Sequence, residues 1–122
     1  MKLLIVDDSR TMRGLLAAYS RRLGFEIFEA EDGRHALEQI ARYQPFDVIL
    51  IDWDMPGING LELLEILRAN PTYSSTKLMM VTAQSSMNSV VVAMEKGADD
   101  YLMKPLTEEM LTDKLRCLEL IP

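Results

Sequence analysis

Four separated stretches of this chain carry side chains that could act together. Asp7 and Asp8 follow the apolar run Leu3–Val6, and Asp52 closes the run Val48–Ile51. Thr82 ends a third apolar run, and Lys104 stands directly before Pro105. Short apolar runs bounded by turn residues read as strands buried on both faces. Pro56 cannot donate to a ladder and Gly57 follows it, so the strand carrying Asp52 has ended by then. Three carboxylates drawn into one crevice repel: at ~5 Å and an effective dielectric of ~20, each ionised pair costs about 3 kcal/mol. A hard divalent cation with oxygen ligands offsets such a cost, and Mg²⁺ typically takes one or two carboxylates with waters and a phosphate oxygen. A nucleophilic carboxylate, a cation, the Thr82 hydroxyl and the Lys104 ammonium are the parts that phosphoryl transfer needs. Asp52 is the candidate phosphoryl acceptor.

The elements that must bring these residues together alternate along the chain. Strands are expected at Lys2–Val6, Phe25–Ala30, Phe46–Asp52, Lys77–Thr82 and Asp100–Lys104. Helices are expected at Ser9–Leu23, Asp32–Tyr43, Ile58–Ala69, Ser85–Lys96 and after a Thr107 cap. Gly24 and Gly97 supply helix stops. In the last helix Glu108 and Glu109 come early and Lys114 and Arg116 late, the order that suits the helix dipole. Helical spacing places Met12, Leu15, Leu16, Tyr19 and Leu23 inward on the first helix. It does the same for Ala36, Leu37, Ile40 and Ala41 on the second, and for Leu63, Ile66 and Leu67 on the third. On the fourth helix Met87, Val90, Val91 and Met94 form the core face, leaving Val92 and Ala93 as an apolar fringe. Cys117 is expected to be buried or half-buried, and His35 to lie on a helix surface with no ligand partner near it.

Strict β-α alternation with short loops implies a doubly wound α/β sandwich: a parallel sheet with helices on both faces and right-handed crossovers. Parallel strands put Asp7, Asp8, Asp52, Thr82 and Lys104 on one edge, where open α/β sheets bind ligands. The alternation alone leaves the strand order open. The 122 residues fit one domain, residues 1–122, and no repeat or linker interrupts them. A net charge of −6 argues against a nonspecific nucleic-acid binder. The lone Cys117, the absence of a signal-peptide pattern and the lack of ~20 consecutive apolar residues predict a cytoplasmic protein without membrane insertion.

The chain resembles the response-regulator receiver domains, most of all the stand-alone, CheY-like chemotaxis type. The matching residues are Val6-Asp7-Asp8, Thr11-Met12-Arg13, Glu31-Asp32-Gly33 and Asp52-Trp53-Asp54-Met55-Pro56. They continue through Gly60-Leu61-Glu62-Leu63-Leu64, Met80-Val81-Thr82-Ala83, Gly97-Ala98, Tyr101 and Lys104-Pro105. The resemblance implies a (βα)5 fold with strand order 2-1-3-4-5. It implies Asp52 as phosphoacceptor, and Mg²⁺ (with Mn²⁺ able to substitute) held by Asp8, Asp52 and the Asp54 backbone carbonyl, Asp7 helping largely through water. It implies Thr82 and Lys104 as ligands of the phosphoryl oxygens, and Thr82 with Tyr101 as the switch. A cis Lys104–Pro105 peptide is a further implication. The implied donor is a sensor histidine kinase or phosphotransfer protein, and the implied target a protein binding the face made by the fourth helix, the fifth strand and the last helix.

Two positions depart from the nearest receiver pattern. Asp54 stands where Asn is frequent, and Gln84 where Glu is frequent; both positions tune dephosphorylation in the family. Two other functions compete. Asp52-Trp53-Asp54 also fits a haloacid-dehalogenase-type phosphatase, with Asp54 as general acid, but Pro56 stands where that family prefers Thr or Val and the Asp7-Asp8 pair has no role. A flavin carrier on the same architecture would need a phosphate-binding loop after the first strand, where Asp7-Asp8 would repel it.

Overall fold

The computed structural model describes residues 1–83 and 87–122, and of Met87 only the backbone. The described residues form strands β1 (Lys2–Val6), β2 (Glu26–Ala30), β3 (Val48–Asp52), β4 (Lys77–Thr82) and β5 (Asp100–Met103). Between and after them run α1 (Arg10–Arg22), α2 (Gly33–Tyr43), α3 (Gly60–Arg68), α4 (Met87–Glu95) and α5 (Glu108–Cys117). The sheet is parallel with order β2-β1-β3-β4-β5.

Alternation along the central strands builds two cores. Leu4, Val6, Ile49 and Ile51 point to one face, where they meet Ile40 of α2, Leu63, Leu64 and Leu67 of α3, and Ala93 of α4. Leu3, Ile5, Val48 and Leu50 point to the other, against Leu16 and Ala17 of α1 and Leu111 and Leu115 of α5. Each fully buried Leu or Ile contributes on the order of 1.5–3 kcal/mol, and β3, buried at every position, carries Asp52 at its end.

Side-chain caps set the helix starts. Ser9, Asp32 and Thr107 accept from the amides of Met12, His35 and Met110, and Asn59 forms a reciprocal capping box with Glu62. Gly24 and Gly97 end α1 and α4 at φ +94 and +113. At the edge opposite Asp52, Arg68 fastens several segments. It donates to the carbonyls of Gly97 (2.7 Å), Tyr73 (3.1 Å) and Thr76 (3.0 Å) and pairs with Asp99 at 2.5 Å. The same Asp99 oxygen accepts from the Leu78 amide.

Several expected core positions lie outside. Leu15, Ile66, Val91 and Met94 are exposed, Ala41 is exposed, and Ala93 is buried instead of forming a fringe. A helix lying on a sheet buries a narrow stripe, and α4 approaches through its smallest side chain. Cys117 is exposed: two residues beyond the inward Leu115, it falls on the opposite side of α5. His35 is half-buried, its Nδ1 facing the Glu31 amide at 3.3 Å. The expected start of the fourth helix at Ser85, and Gln84, lie outside the described residues, as does the Met87 side chain.

Candidate functional site

Asp7 leaves β1 with its amide still bonded to Ala30 of β2, and its carboxylate caps the turn by accepting from the Ser9 amide at 2.8 Å. Asp52 is the last residue of β3, paired in register with Val81. Gly60, the first residue of α3, lies so close that a Cβ there would sit 2.1 Å from the Asp52 carbonyl oxygen. Gly33 opens α2 against Ile58 in the same way, with a Cβ only 2.8 Å from the Ile58 Cβ. The loop from Trp53 to Asn59 is thus clamped by two helix starts that tolerate no side chain, with Gly57 at φ +72 making its turn. β5 ends at Met103, and the Lys104 amide donates to the Thr82 carbonyl at 2.8 Å, which brings the lysine to the end of β4. The Lys104–Pro105 peptide is cis, as expected, and so is Gln44–Pro45, which the sequence did not single out.

Carboxylate oxygens of Asp7, Asp8 and Asp52 lie within 4.8 Å of one another. Asp7 and Asp52 are buried and Asp8 is exposed. Lys104 Nζ reaches Asp52 Oδ1 at 3.0 Å and Asp7 Oδ2 at 3.5 Å. Thr82, 2 % exposed, closes the same edge. Burial raises the Asp52 carboxyl to a pKa of about 6, with the charges of Asp7 and Asp8 adding to the rise and Lys104 opposing it. Burial works against the Lys104 ammonium, but its hydrogen bond to Asp52 and the charges of Asp7 and Asp52 outweigh it, so its pKa lies above the ordinary lysine value.

These residues fit a hard divalent cation. The donors are all oxygens, they converge from two strand ends, and their mutual repulsion is only partly met by one ammonium. Asp54 is exposed on the loop after β3, and its carboxylate lies outside the group of three. Tyr101 is half-buried on β5. Its amide donates to Asp100 Oδ1 at 2.8 Å, and Lys114 Nζ lies 4.5 Å from its ring centre while pairing with that same carboxylate at 2.9 Å. Sequence reasoning passed over Arg13 except as a motif member. Its Nη1 donates to the Asp7 carbonyl at 2.6 Å and its Nε lies 3.4 Å from Glu29. Among the arginines of α1 nothing in residue type or spacing distinguishes it.

A parallel sheet in this order, with an acidic cluster and a lysine at its carboxyl edge, is the arrangement of a phosphoryl-accepting signalling fold. A family model for the response regulator receiver domain matches residues 3–116. The chain belongs to that family, and is a signalling domain of two-component systems. It is 39% identical over 116 residues to a chemotaxis protein CheY homolog of Campylobacter jejuni, covering 94% of this chain and 89% of the relative. It is 38% identical to chemotaxis protein CheY1 of Helicobacter pylori, with 94% of each chain covered. The structure of Vibrio cholerae CheY4 superposes with a TM-score of 0.89 at 33% identity, over 95% of this chain and 96% of that one. The haloacid-dehalogenase-type alternative gains no support from these matches. No helix among the described residues is long and apolar enough to cross a membrane.

Proposed function

We propose that residues 1–122 form one receiver domain that works as a phosphorylation-controlled switch, with Asp52 as the phosphoacceptor. The observation that carries this reading is the meeting of Asp7, Asp8 and Asp52 within 4.8 Å beside a lysine 3.0 Å from Asp52. The donor is a phosphohistidine on a sensor histidine kinase or phosphotransfer protein. An Asp52 carboxylate oxygen forms a bond to phosphorus as the phosphorus–nitrogen bond breaks, and the departing imidazole nitrogen keeps the electron pair and takes a proton. Asp8, Asp52 and the Asp54 carbonyl, with Asp7 largely through water, would hold Mg²⁺ or Mn²⁺, which when bound would supply positive charge to the phosphoryl oxygens. Lys104 exchanges its contact with Asp52 for a phosphoryl oxygen, and the Thr82 hydroxyl donates to another.

Drawing Thr82 toward the phosphoryl group frees space for Tyr101 to move inward, which shifts the face formed by α4, β5 and α5 toward a partner-binding state. Asp54 and Gln84 set how fast water removes the phosphoryl group. The domain takes up one phosphoryl group per chain and is not a turnover enzyme. Relatives named for chemotaxis in C. jejuni and H. pylori support an output by protein binding in motility control, in the cytoplasm and without direct nucleic-acid contact. The test is a small-molecule phosphodonor added with and without Mg²⁺, read by intact mass. Wild type gains one phosphoryl group only with Mg²⁺, and Asp52→Asn gains none. Sustained hydrolysis of the donor with no adduct would favour a phosphatase.

A further inference from the structure

We propose that Arg13 is a positioning residue for the acidic cluster: it locks the Asp7–Asp8 peptide so that Asp8 stays beside Asp7 and Asp52. The inference rests on the cation-site reading above and adds to it a residue outside the carboxylates.

Of the three carboxylates, Asp8 is the one with freedom to leave. Asp7 is 1% exposed, with its carboxylate held by the Ser9 amide, and Asp52 is 4% exposed and held by Lys104. Asp8 is exposed and has no side-chain hydrogen bond among the described residues. Repulsion from its two neighbours favours any backbone rotation that swings it into water. The peptide joining Asp7 to Asp8 lies past the end of β1, so the strand ladder does not fix its orientation. Its carbonyl, buried with the rest of Asp7, takes its hydrogen bond from Arg13 Nη1 at 2.6 Å. Arg13 is itself held, because its side chain is only 15% exposed and its Nε faces Glu29 of β2 at 3.4 Å. One guanidinium therefore ties the end of β1, the first turns of α1 and the edge of β2 together around that peptide. A lysine keeps the charge but lacks the planar fork whose separate nitrogens, Nη1 and Nε, face the Asp7 carbonyl and Glu29 from fixed directions.

A positioning role and a charge role predict opposite signs. As a positive charge near a cation site, Arg13 should weaken metal binding; as a clamp, it should strengthen it. The experiment compares wild type, Arg13→Lys and Arg13→Gln by Mg²⁺ titration of Trp53 fluorescence, with thermal melts of the metal-free proteins alongside. Both variants should bind Mg²⁺ about tenfold more weakly, in the range typical of residues that orient metal ligands. Tighter binding by Arg13→Gln with Arg13→Lys unchanged would overturn the proposal, as would reduced stability with unchanged affinity. Should Arg13→Gln not melt cooperatively, Glu29→Gln, which releases Arg13 from one side only, should weaken Mg²⁺ binding by a smaller factor. No change there would also overturn it.

A second arm needs no metal. In wild type Arg13 holds Asp8 against its neighbours, so Asp8→Ala should raise the metal-free melting temperature. In the Arg13→Gln background Asp8 is already released, and the gain should shrink. Equal gains in both backgrounds would overturn the proposal. If wild type itself shows no response to Mg²⁺, the cation-site reading fails, and this stability cycle still decides the role of Arg13.

Discussion

At the scale of single residues, the free energy of the site is set by where Asp52 keeps its proton. Its carboxyl, raised from 3.8 to about 6, binds more protons folded than unfolded between those values. The stability it contributes is therefore fully present below about pH 4 and is lost as pH rises through about 6. Relative to Asp52→Asn, wild type should lose on the order of 2–3 kcal/mol between pH 4 and pH 7 in the absence of metal. Parallel denaturant titrations check this, and identical pH slopes in the two proteins would count against a raised carboxyl. Asp8→Ala should melt a few degrees higher than wild type without metal, because one member of a repelling trio has gone. It should also bind Mg²⁺ more weakly. A clear loss of metal-free stability would show that the three carboxylates are not in conflict. The lone Trp53, adjoining Asp52 and half-buried, should report metal binding in its fluorescence.

At the scale of elements, strand ends and helix starts position the chemistry. Gly60→Ala would place a methyl group into the Asp52 carbonyl, and the backbone must shift to admit it. An expected loss of about 3 kcal/mol or more, measured by urea unfolding, follows from overpacking at a backbone contact. A change below about 0.5 kcal/mol, the range of a neutral surface substitution, would mean that α3 and β3 are not braced there.

The same elements show what could be read from the chain. Apolar runs ending in Asp, Thr or Lys marked strands β1, β3, β4 and β5 and the ends that carry the candidate site, because strands buried on both faces read as short continuous apolar runs cut off by turn residues. Helix existence was equally plain from helical spacing of apolar residues and, for the last helix, from the Thr107 cap, whereas the Asn59 cap came to light only in the structure. Which residue of a helix faces in was less so. Leu15 and Ile66 are as apolar as Leu16 and Leu67 but sit at the rim of a narrow stripe, and on α4 it is Ala93, not Val91, that falls on the inward line. The contacts of Arg13 and Arg68 were illegible, since long side chains reach across several segments without any periodic signature. The strand order came from the resemblance and not from the alternation of elements.

At the scale of the whole molecule, binding at the carboxyl edge is linked to global unfolding. Mg²⁺ at about 100 times its dissociation constant should raise unfolding free energy by about 2.7 kcal/mol, and chelation should remove the gain. Denaturant midpoints that do not move with Mg²⁺ would sink the metal site. In Asp52→Asn the gain should be smaller, since one anionic oxygen ligand is lost. The proposed output would be tied to the same global frame, because α4 and β5 run between the acidic edge and the far side of the sheet. There Arg68 grips Gly97 and Asp99, the residues between that helix and that strand. An arm bolted at its base can lean but cannot slide. A small push delivered near Thr82 would then appear as a tilt of α4 about the Arg68 anchorage, greatest at the tip furthest from it. On the proposed switch reading, a local tug would in this way become angular travel.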